Sequence, residues 1–139
     1  MILGYSFKSN TNDIRESPAI RVAKDLLENG ANLVIHDPKV SKFQISNSLG
    51  ENNEKSNNCS EGKWTFAIDI YNACLEADAI IIMTEWAEYL NIDWGIICRS
   101  MRQPAWIFDT RGIVKEKSLK GAKLKFWQVG KGLITNNIK

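Results

Sequence analysis

Short apolar runs alternate along the chain with stretches in which apolar residues recur every three or four positions. The apolar runs are typical of buried strands and fall at residues 1–5, 31–36, 64–67, 79–83, 104–109 and 124–129. Between the first two runs, the spacing of Ile20, Ala23 and Leu27 predicts a helix with one apolar face. Strands that alternate with helices predict an α/β fold: a single domain with a doubly wound, Rossmann-like parallel sheet of about six strands.

Local signals mark where the first predicted helix begins and ends. Ser17-Pro18 supplies an N-cap and a proline at the first helical position, and Gly30 is a typical C-terminal stop. Further helices are predicted over residues 70–77, 93–101 and 114–119. Because strand–helix–strand units cross over with a right hand, we expect the strand order 3-2-1-4-5-6. The switch point of that order lies between the first and fourth strands.

Two segments depart from this alternation. The polar stretch 40–63 is rich in Ser and Asn, so we predict a surface excursion at residues 43–63 of a domain that spans residues 1–130. Residues 131–139 are predicted to be a loose tail. The first strand begins abruptly at Met1, and we therefore expect the start to lie within a longer polypeptide.

The polar loop after the first strand is the principal candidate for a binding segment. It covers residues 8–17, whereas a strand-to-helix loop usually has about 2–6 residues. It carries Lys8 and Arg15 among several hydrogen-bonding side chains. At the predicted switch point it would meet the loops after the fourth and fifth strands, the second of which carries Arg111. The topology therefore predicts one crevice with three cations.

Cations without a glycine-rich turn favour an anion that is held by side chains. Only Gly4 occupies the loop, so GxGxxG is absent and a backbone cradle for pyrophosphate is disfavoured. Arginine offers a planar fork for phosphate and lysine a compact charge, which suits a nucleoside diphosphate or a sugar nucleotide. In the alternative interpretation, Lys8 and Arg15 are solvated and Arg111 pairs with Asp109 or Glu85.

Composition narrows the function classes. The 139 residues, 44% of them apolar, suit one globular domain, and the net charge of +2 does not indicate a nucleic-acid partner. No run approaches the roughly 20 apolar residues of a membrane helix, and no secretory signal is present. Three separated cysteines without a CxxC pair predict reduced thiols and a cytoplasmic location. A single histidine excludes a histidine-rich metal site.

Few residues are candidates for chemistry. Cys74 and Cys98 lie on apolar helix faces and are more typical of core thiols than of nucleophiles, while Cys59 is expected to be exposed. His36 has no Ser or Cys motif beside it and is interpreted as structural or surface-exposed. Trp86, at the switch-point edge, either stacks on a base or lies in the core. The other tryptophans are predicted core residues: Trp64, Trp94, Trp106 and Trp127.

Five segments together carry a family resemblance. They are Leu3-Gly4-Tyr5-Ser6-Phe7-Lys8, Thr11-Asn12-Asp13-Ile14-Arg15-Glu16-Ser17-Pro18, Tyr71-Asn72-Ala73-Cys74, Thr84-Glu85-Trp86 and Phe108-Asp109-Thr110-Arg111. In this order they resemble the carboxyl-terminal UDP-binding domain of the UDP-glucose 6-dehydrogenases, within the UDP-glucose/GDP-mannose dehydrogenase family. The resemblance runs from Ile2 to about Gly130.

The resemblance implies a binding role. The family enzymes oxidise UDP-glucose to UDP-glucuronate for polysaccharide biosynthesis with two NAD, through an amino-terminal NAD domain and a central domain that carries the catalytic cysteine. It implies these domains and a homo-oligomer as partners. The Gly-Phe-Gly-Gly-Ser-Cys segment around that cysteine does not occur in this sequence, so none of the three cysteines inherits the role. We expect no catalytic residue, no metal and no oxidation by this chain alone.

Residue by residue, the resemblance implies two ligands. Phe7 and Lys8 resemble the family's substrate-contacting pair, and Arg111 resembles the arginine that reaches the UDP-sugar from a neighbouring subunit or closing domain. Arg15 resembles the arginine that contacts NAD. Thr110-Arg111-Gly112 departs from the usual pattern, so a related dehydrogenase of the UDP-N-acetylmannosamine or GDP-mannose type remains an alternative. Further alternatives are a stand-alone nucleotide-binding or regulatory module and an oligomerisation domain.

Overall fold

A twisted sheet divides the structure, a computed structural model that describes residues 1–50 and 61–134. Its strands are β1 (Ile2–Leu3), β2 (Leu33–His36), β3 (Trp64–Phe66), β4 (Ala79–Ile82), β5 (Ala105–Asp109), β6 (Leu124–Gln128) and β7 (Gly132–Ile134). Within the described residues the order is β3-β2-β1-β4-β5-β6-β7, with the first six parallel and β7 antiparallel to β6. The predicted α/β class and the order of the first six strands are confirmed.

Helices connect the parallel strands. They are α1 (Pro18–Glu28), α2 (Lys42–Leu49), α3 (Ile70–Ala73) and α4 (Trp94–Ser100), with 3-10 turns at Ala87–Asn91 and Glu116–Leu119. The predicted cap of α1 is confirmed, because Ser17 Oγ accepts a hydrogen bond from the main-chain N–H of Ala19 at 3.3 Å. No helix in the described ranges is long and apolar enough to cross a membrane.

The sheet separates two hydrophobic cores, and β1 contributes to both. Successive side chains of a strand point to opposite faces. Ile2 packs with Ala19 and Ala23 of α1 on one face, whereas Leu3 packs with Ile97 of α4 on the other. Both β1 side chains are fully buried. The central position of β1 therefore fixes the start of the loop that follows it.

The predicted surface excursion contains a helix. Ser41 Oγ accepts from the main-chain N–H of Gln44 at 3.2 Å, and the Gln44 side chain accepts from the N–H of Ser41 at 3.1 Å. This capping box starts α2, and Ile45 anchors it in the core. The polar composition predicts a surface excursion here, and no helix was assigned from the sequence to residues 42–49, where α2 lies. Residues 51–60 lie outside the described part.

The predicted loose tail is wrong at its start. After a turn in which the N–H of Lys131 donates to the carbonyl of Gln128 at 3.1 Å, β7 pairs with β6 and places Leu133 opposite Trp127. An antiparallel hairpin needs only this short turn. The polar composition of the segment gave no sign of the strand that follows. Residues 135–139 lie outside the described part.

The tryptophans divide between the core and the sheet surface. Trp64 and Trp94 are buried, as predicted. Trp106 and Trp127 are only half-buried, so their assignment to the core is wrong. They lie on adjacent strands, and Trp106 stacks on Phe108 with ring centroids 5.3 Å apart.

Candidate functional site

Three loops meet at the carboxyl-terminal edge of the sheet, beside the switch point between β1 and β4. Thr84 Oγ1 donates to the carbonyl of Ser6 at 2.8 Å, which joins the loop after β4 to the loop after β1. The Glu85 carboxylate accepts from the N–H of Ser9 at 3.5 Å and lies 3.5 Å from Arg111 Nε. The loops that the topology predicts to converge are therefore in contact.

Phe7 and Lys8 lie side by side in the loop after β1. The Phe7 side chain is 47% exposed, and Lys8 is exposed as well. Two hydrogen bonds to main-chain carbonyls define this part of the loop: Ser6 Oγ donates to the carbonyl of Lys8 at 2.9 Å, and the N–H of Phe7 donates to the carbonyl of Asp13 at 2.8 Å. The site thus presents an apolar ring and a primary amine on a defined backbone.

Arg111 is held from two sides. Its Nε donates to the carbonyl of Met83 at 2.7 Å and lies 3.5 Å from Glu85 Oε2. The side chain is 32% exposed. Of the two pairings in the alternative interpretation, the one with Glu85 is present, whereas Asp109 binds the main-chain N–H of Arg111 instead. Since only Nε takes part in these contacts, the two terminal nitrogens are the part of the fork suited to a ligand.

Arg15 is paired with a carboxylate of its own loop. Its guanidinium binds both carboxylate oxygens of Asp13, at 2.7 Å for the Nη2–Oδ2 pair, and its side chain is 87% exposed. The hydrogen bonds from Arg15 lower the pKa of Asp13 to about 2. A shared crevice for Arg15, Lys8 and Arg111 stays a prediction.

Asp37 anchors the loop after β1, and the sequence reasoning did not single it out. The residue is 4% exposed and immediately follows β2. Its Oδ2 accepts from the N–H groups of Tyr5 at 2.7 Å and Ser6 at 3.0 Å and from Nε1 of Trp86 at 3.1 Å. Its Oδ1 accepts from the two N–H groups that follow, those of Lys39 and Val40. One carboxylate thus binds three segments of the site.

Asp109 plays the corresponding part for the loop after β5. It is fully buried, and its Oδ1 accepts from the N–H groups of Arg111 at 3.0 Å and Gly112 at 2.8 Å. Its Oδ2 accepts from the N–H of Val114 at 2.8 Å and from Nε2 of Gln128 at 2.9 Å. An aspartate at the end of an apolar run, followed by turn residues, is the sequence signal common to both anchors.

Trp86 and His36 belong to the core beneath the site. Trp86 is 5% exposed with its Nε1 bound to Asp37, which supports the core interpretation over base stacking. His36 is also buried, with Nδ1 2.9 Å from the Tyr89 hydroxyl and Nε2 3.6 Å from Glu88. Burial lowers the pKa of His36 from its ordinary value, which favours the neutral ring. The structural interpretation of His36 is confirmed.

The cysteines of the described part are core thiols. Cys74 and Cys98 are buried and unpaired, and burial raises the pKa of each to about 11, so neither is activated as a nucleophile. Their interpretation as core thiols is confirmed, while Cys59 lies outside the described residues. Residues 1–50 and 61–134 contain no group of three or more His, Cys, Asp or Glu side chains that could hold a metal ion.

Comparison with known sequences identifies a family. The model of the UDP-glucose/GDP-mannose dehydrogenase family, UDP binding domain, matches residues 1–116. The chain is 37% identical over 141 residues to UDP-glucose 6-dehydrogenase 2 of Arabidopsis thaliana, covering 95% of this chain and 29% of the relative. It is 39% identical over 129 residues to UDP-glucose 6-dehydrogenase of Caenorhabditis elegans, covering 93% of this chain and 26% of the relative. The chain therefore spans little more than a quarter of their length.

Comparison with solved structures supports the fold. The crystal structure of an NDP-N-acetyl-D-galactosaminuronic acid dehydrogenase from Methanosarcina mazei Go1 matches with a TM-score of 0.71 at 18% identity. The match covers 94% of this chain and 24% of that one. At this identity, the likeness extends to the architecture alone.

Proposed function

The chain belongs to the UDP-glucose/GDP-mannose dehydrogenase family, as its UDP-binding domain, and we propose that it binds a UDP-sugar through Phe7, Lys8 and Arg111. The observation that carries this proposal is the Glu85 carboxylate, which contacts both the main-chain N–H of Ser9, the neighbour of Lys8, and Arg111. Two basic side chains from distant segments thereby lie on adjacent loops of one sheet edge, where open α/β sheets bind their ligands.

The chemistry of these side chains suits a nucleoside diphosphate. The terminal nitrogens of Arg111 form a fork for phosphate oxygens, and Lys8 adds a mobile positive charge. The exposed ring of Phe7 provides an apolar surface beside them. Glu85 keeps the local charge balanced without a ligand, and phosphate would replace its weak 3.5 Å contact with Arg111.

The loop after β1 offers no glycine-rich cradle for a dinucleotide. The loop after β1 has Gly4 as its only glycine, and that glycine packs directly against Thr84. We propose that NAD is bound mainly by an amino-terminal domain of the complete enzyme and that Arg15 contacts it from its exposed position. NAD would accept the hydride, and a central domain would supply the nucleophilic cysteine. This chain would hold and orient the UDP-glucose that the complete enzyme oxidises.

The surface has the apolar residues that contacts with other domains require. Exposed apolar side chains outside the site include Phe43, Ile68, Leu75, Leu90 and Leu133. We propose that the amino-terminal and central domains, and further subunits of a homo-oligomer, cover part of this surface. The free, buried thiols of Cys74 and Cys98 accord with a cytoplasmic enzyme.

Titration of the folded chain with UDP, followed by NMR chemical shifts, tests the proposal. We expect weak, saturable binding, because part of the site lies on other domains. Lys8→Ala and Arg111→Ala should each weaken UDP binding about tenfold, the typical loss for one charge-assisted hydrogen bond. Uridine, which lacks the phosphates, should bind less well than UDP, and GDP in its place tests the base preference.

Matched controls lie at the opposite edge of the sheet. Lys63 immediately precedes β3, and Arg102 pairs with Asp78 immediately before β4. Lys63→Ala and Arg102→Ala should leave UDP binding unchanged. Absence of binding at millimolar UDP with folded protein would contradict the proposal. Equal losses from the site variants and the controls would show that net charge alone attracts UDP.

A further inference from the structure

The anchoring of the loop after β1 begins where the sheet ends. The pairing of β1 with its neighbours covers Ile2 and Leu3, and the N–H of Gly4 still donates to the carbonyl of His36 at 2.8 Å. The next two N–H groups, those of Tyr5 and Ser6, donate instead to the Asp37 carboxylate. Asp37 thus replaces the sheet as hydrogen-bond partner at the point where the chain turns toward the site.

A chain of contacts leads from Asp37 to Lys8 in two steps. Asp37 binds the N–H of Ser6 at 3.0 Å, and Ser6 Oγ donates to the carbonyl of Lys8 at 2.9 Å. Thr84 Oγ1 holds the carbonyl of Ser6 at 2.8 Å from the other side. Within the described residues, the Lys8 side chain itself takes part in no ion pair or hydrogen bond. Its location therefore depends on the backbone that these contacts define.

The set of N–H donors that bind Asp37 argues against a purely structural role for its carboxylate. Burying a carboxylate costs several kcal/mol unless hydrogen bonds compensate, and apolar residues often serve stability equally well. The five N–H donors of Asp37 are main-chain groups or an indole, with no cation among them. Every donor belongs to a loop at the carboxyl-terminal edge of the sheet. The carboxylate is thus used to fix the geometry of this edge.

We propose that Asp37 is a positioning residue for nucleotide binding, which sets the backbone at Ser6 and thereby directs Lys8 toward the diphosphate. This inference rests on the proposed function, because it assigns the ligand contact to Lys8. Asp37 itself does not touch the ligand. The main chain of Arg111 is held by a different carboxylate, because Asp109 binds its N–H at 3.0 Å.

A double-mutant cycle with UDP as the probe tests this inference. We expect Lys8→Ala to weaken UDP binding about tenfold in the otherwise unchanged chain and less than about twofold in the Asp37→Asn background. Arg111→Ala should keep its about tenfold effect in both backgrounds. A core carboxylate without a positioning role would lower stability but leave the effect of Lys8→Ala unchanged. An equal effect of Lys8→Ala in both backgrounds would therefore overturn the inference.

Asp78→Asn is the matched control, because it removes an exposed carboxylate at the opposite edge of the sheet and should not couple to Lys8→Ala. If Asp37→Asn does not fold by circular dichroism, Ser6→Ala interrupts the same path one step later. Ser6→Ala should then reduce the effect of Lys8→Ala, and additive effects would again overturn the inference. Failure of the unchanged, folded chain to bind UDP would instead contradict the proposed function, and the inference with it.

Discussion

The loops after β1 and β5 each depend on a buried carboxylate, but they obtain it from different places. In the loop after β5, Asp109 binds N–H groups two, three and five residues ahead of it in the sequence. The loop after β1 is bound by Asp37, which immediately follows another strand, β2, and lies 32 and 31 residues beyond the Tyr5 and Ser6 groups that it binds. The first arrangement is a local turn motif. The second holds only when β1 and β2 are correctly paired, so it links the loop to the fold.

The largest contrast between the two loops should come from their glycines. Gly4 has a φ of +89°, and an added Cβ would collide with the Thr84 side chain and lie 2.7 Å from the Thr84 nitrogen. Gly112 has a φ of +71°, with no atom within 4 Å of an added Cβ. We expect Gly4→Ala to lower the free energy of unfolding by about 2–5 kcal/mol through backbone strain and overpacking, and Gly112→Ala by about 1–2 kcal/mol through strain alone.

Urea unfolding followed by tryptophan fluorescence measures both glycine variants. Poor recovery of folded Gly4→Ala would agree with a loss near the upper end, since small domains are stable by only about 5–15 kcal/mol. Equal losses of unfolding free energy in the two variants would show that the close packing of Gly4 against Thr84 adds no cost to the strain of a positive φ.

The same contrast explains what the sequence could predict. Apolar runs and helix signals predict the order of six strands and the meeting of the loops that carry Lys8 and Arg111, because these features follow from periodicity and from the handedness of crossovers. The capping box of Ser41 and Gln44 was a readable signal that the polar composition concealed. The partners of Asp37 were not readable, because Trp86 lies 49 residues away and only the finished sheet brings the two together.

Removal of the Asp37 carboxylate should destabilise the fold more than removal of the Asp109 carboxylate, because Asp37 binds three segments. Asp37→Asn places an NH2 group against N–H donors from three segments, and we expect a loss of about 2–4 kcal/mol in the free energy of unfolding. Asp109→Asn disturbs the turn after β5 and Gln128, and we expect about 1–3 kcal/mol.

Native-state hydrogen exchange can locate these losses. Asp37→Asn should accelerate exchange at the N–H groups of Tyr5 and Ser6, and Asp109→Asn at those of Arg111 and Gly112. Faster exchange at Tyr5 in the Asp109→Asn variant would contradict the independence of the two anchors.

The stability of the region around Asp37 should depend on pH, because Asp37, unlike Asp109, is preceded by a titratable residue. His36 precedes Asp37, whereas Phe108 precedes Asp109. Burial lowers the pKa of His36 below its ordinary value of 6.5, although nearby Glu88 opposes this shift. As the pH falls, His36 is therefore protonated in the unfolded chain at a higher pH than in the folded chain. The folded state keeps the full stabilisation by the neutral ring above pH 6.5 and loses it as the pH falls further.

The unfolding free energy between pH 7 and pH 5 measures this effect. We expect it to fall more steeply with decreasing pH in the unchanged chain than in His36→Gln, by up to about 1.4 kcal/mol per pH unit. Asp13, whose pKa the Arg15 hydrogen bonds lower to about 2, does not titrate in this range. Equal slopes in the two proteins would contradict a buried neutral histidine.

The smallest effects on stability should come from substitutions of the arginines. They compare Arg111, in the turn after β5, with Arg15, at the outer end of the loop after β1. Arg111→Ala removes the 2.7 Å hydrogen bond to the carbonyl of Met83 on a partly buried side chain, and we expect about 1 kcal/mol less stability. Arg15→Ala removes an ion pair to Asp13 in which the arginine side chain is 87% exposed. Solvent screens such a pair, so the melting temperature should not change measurably. An exposed and unconstrained ion pair cannot contribute as much as the Arg111 hydrogen bond. If Arg15→Ala lowers the melting temperature as much as Arg111→Ala does, the outer end of the loop after β1 is therefore held as firmly as the turn after β5.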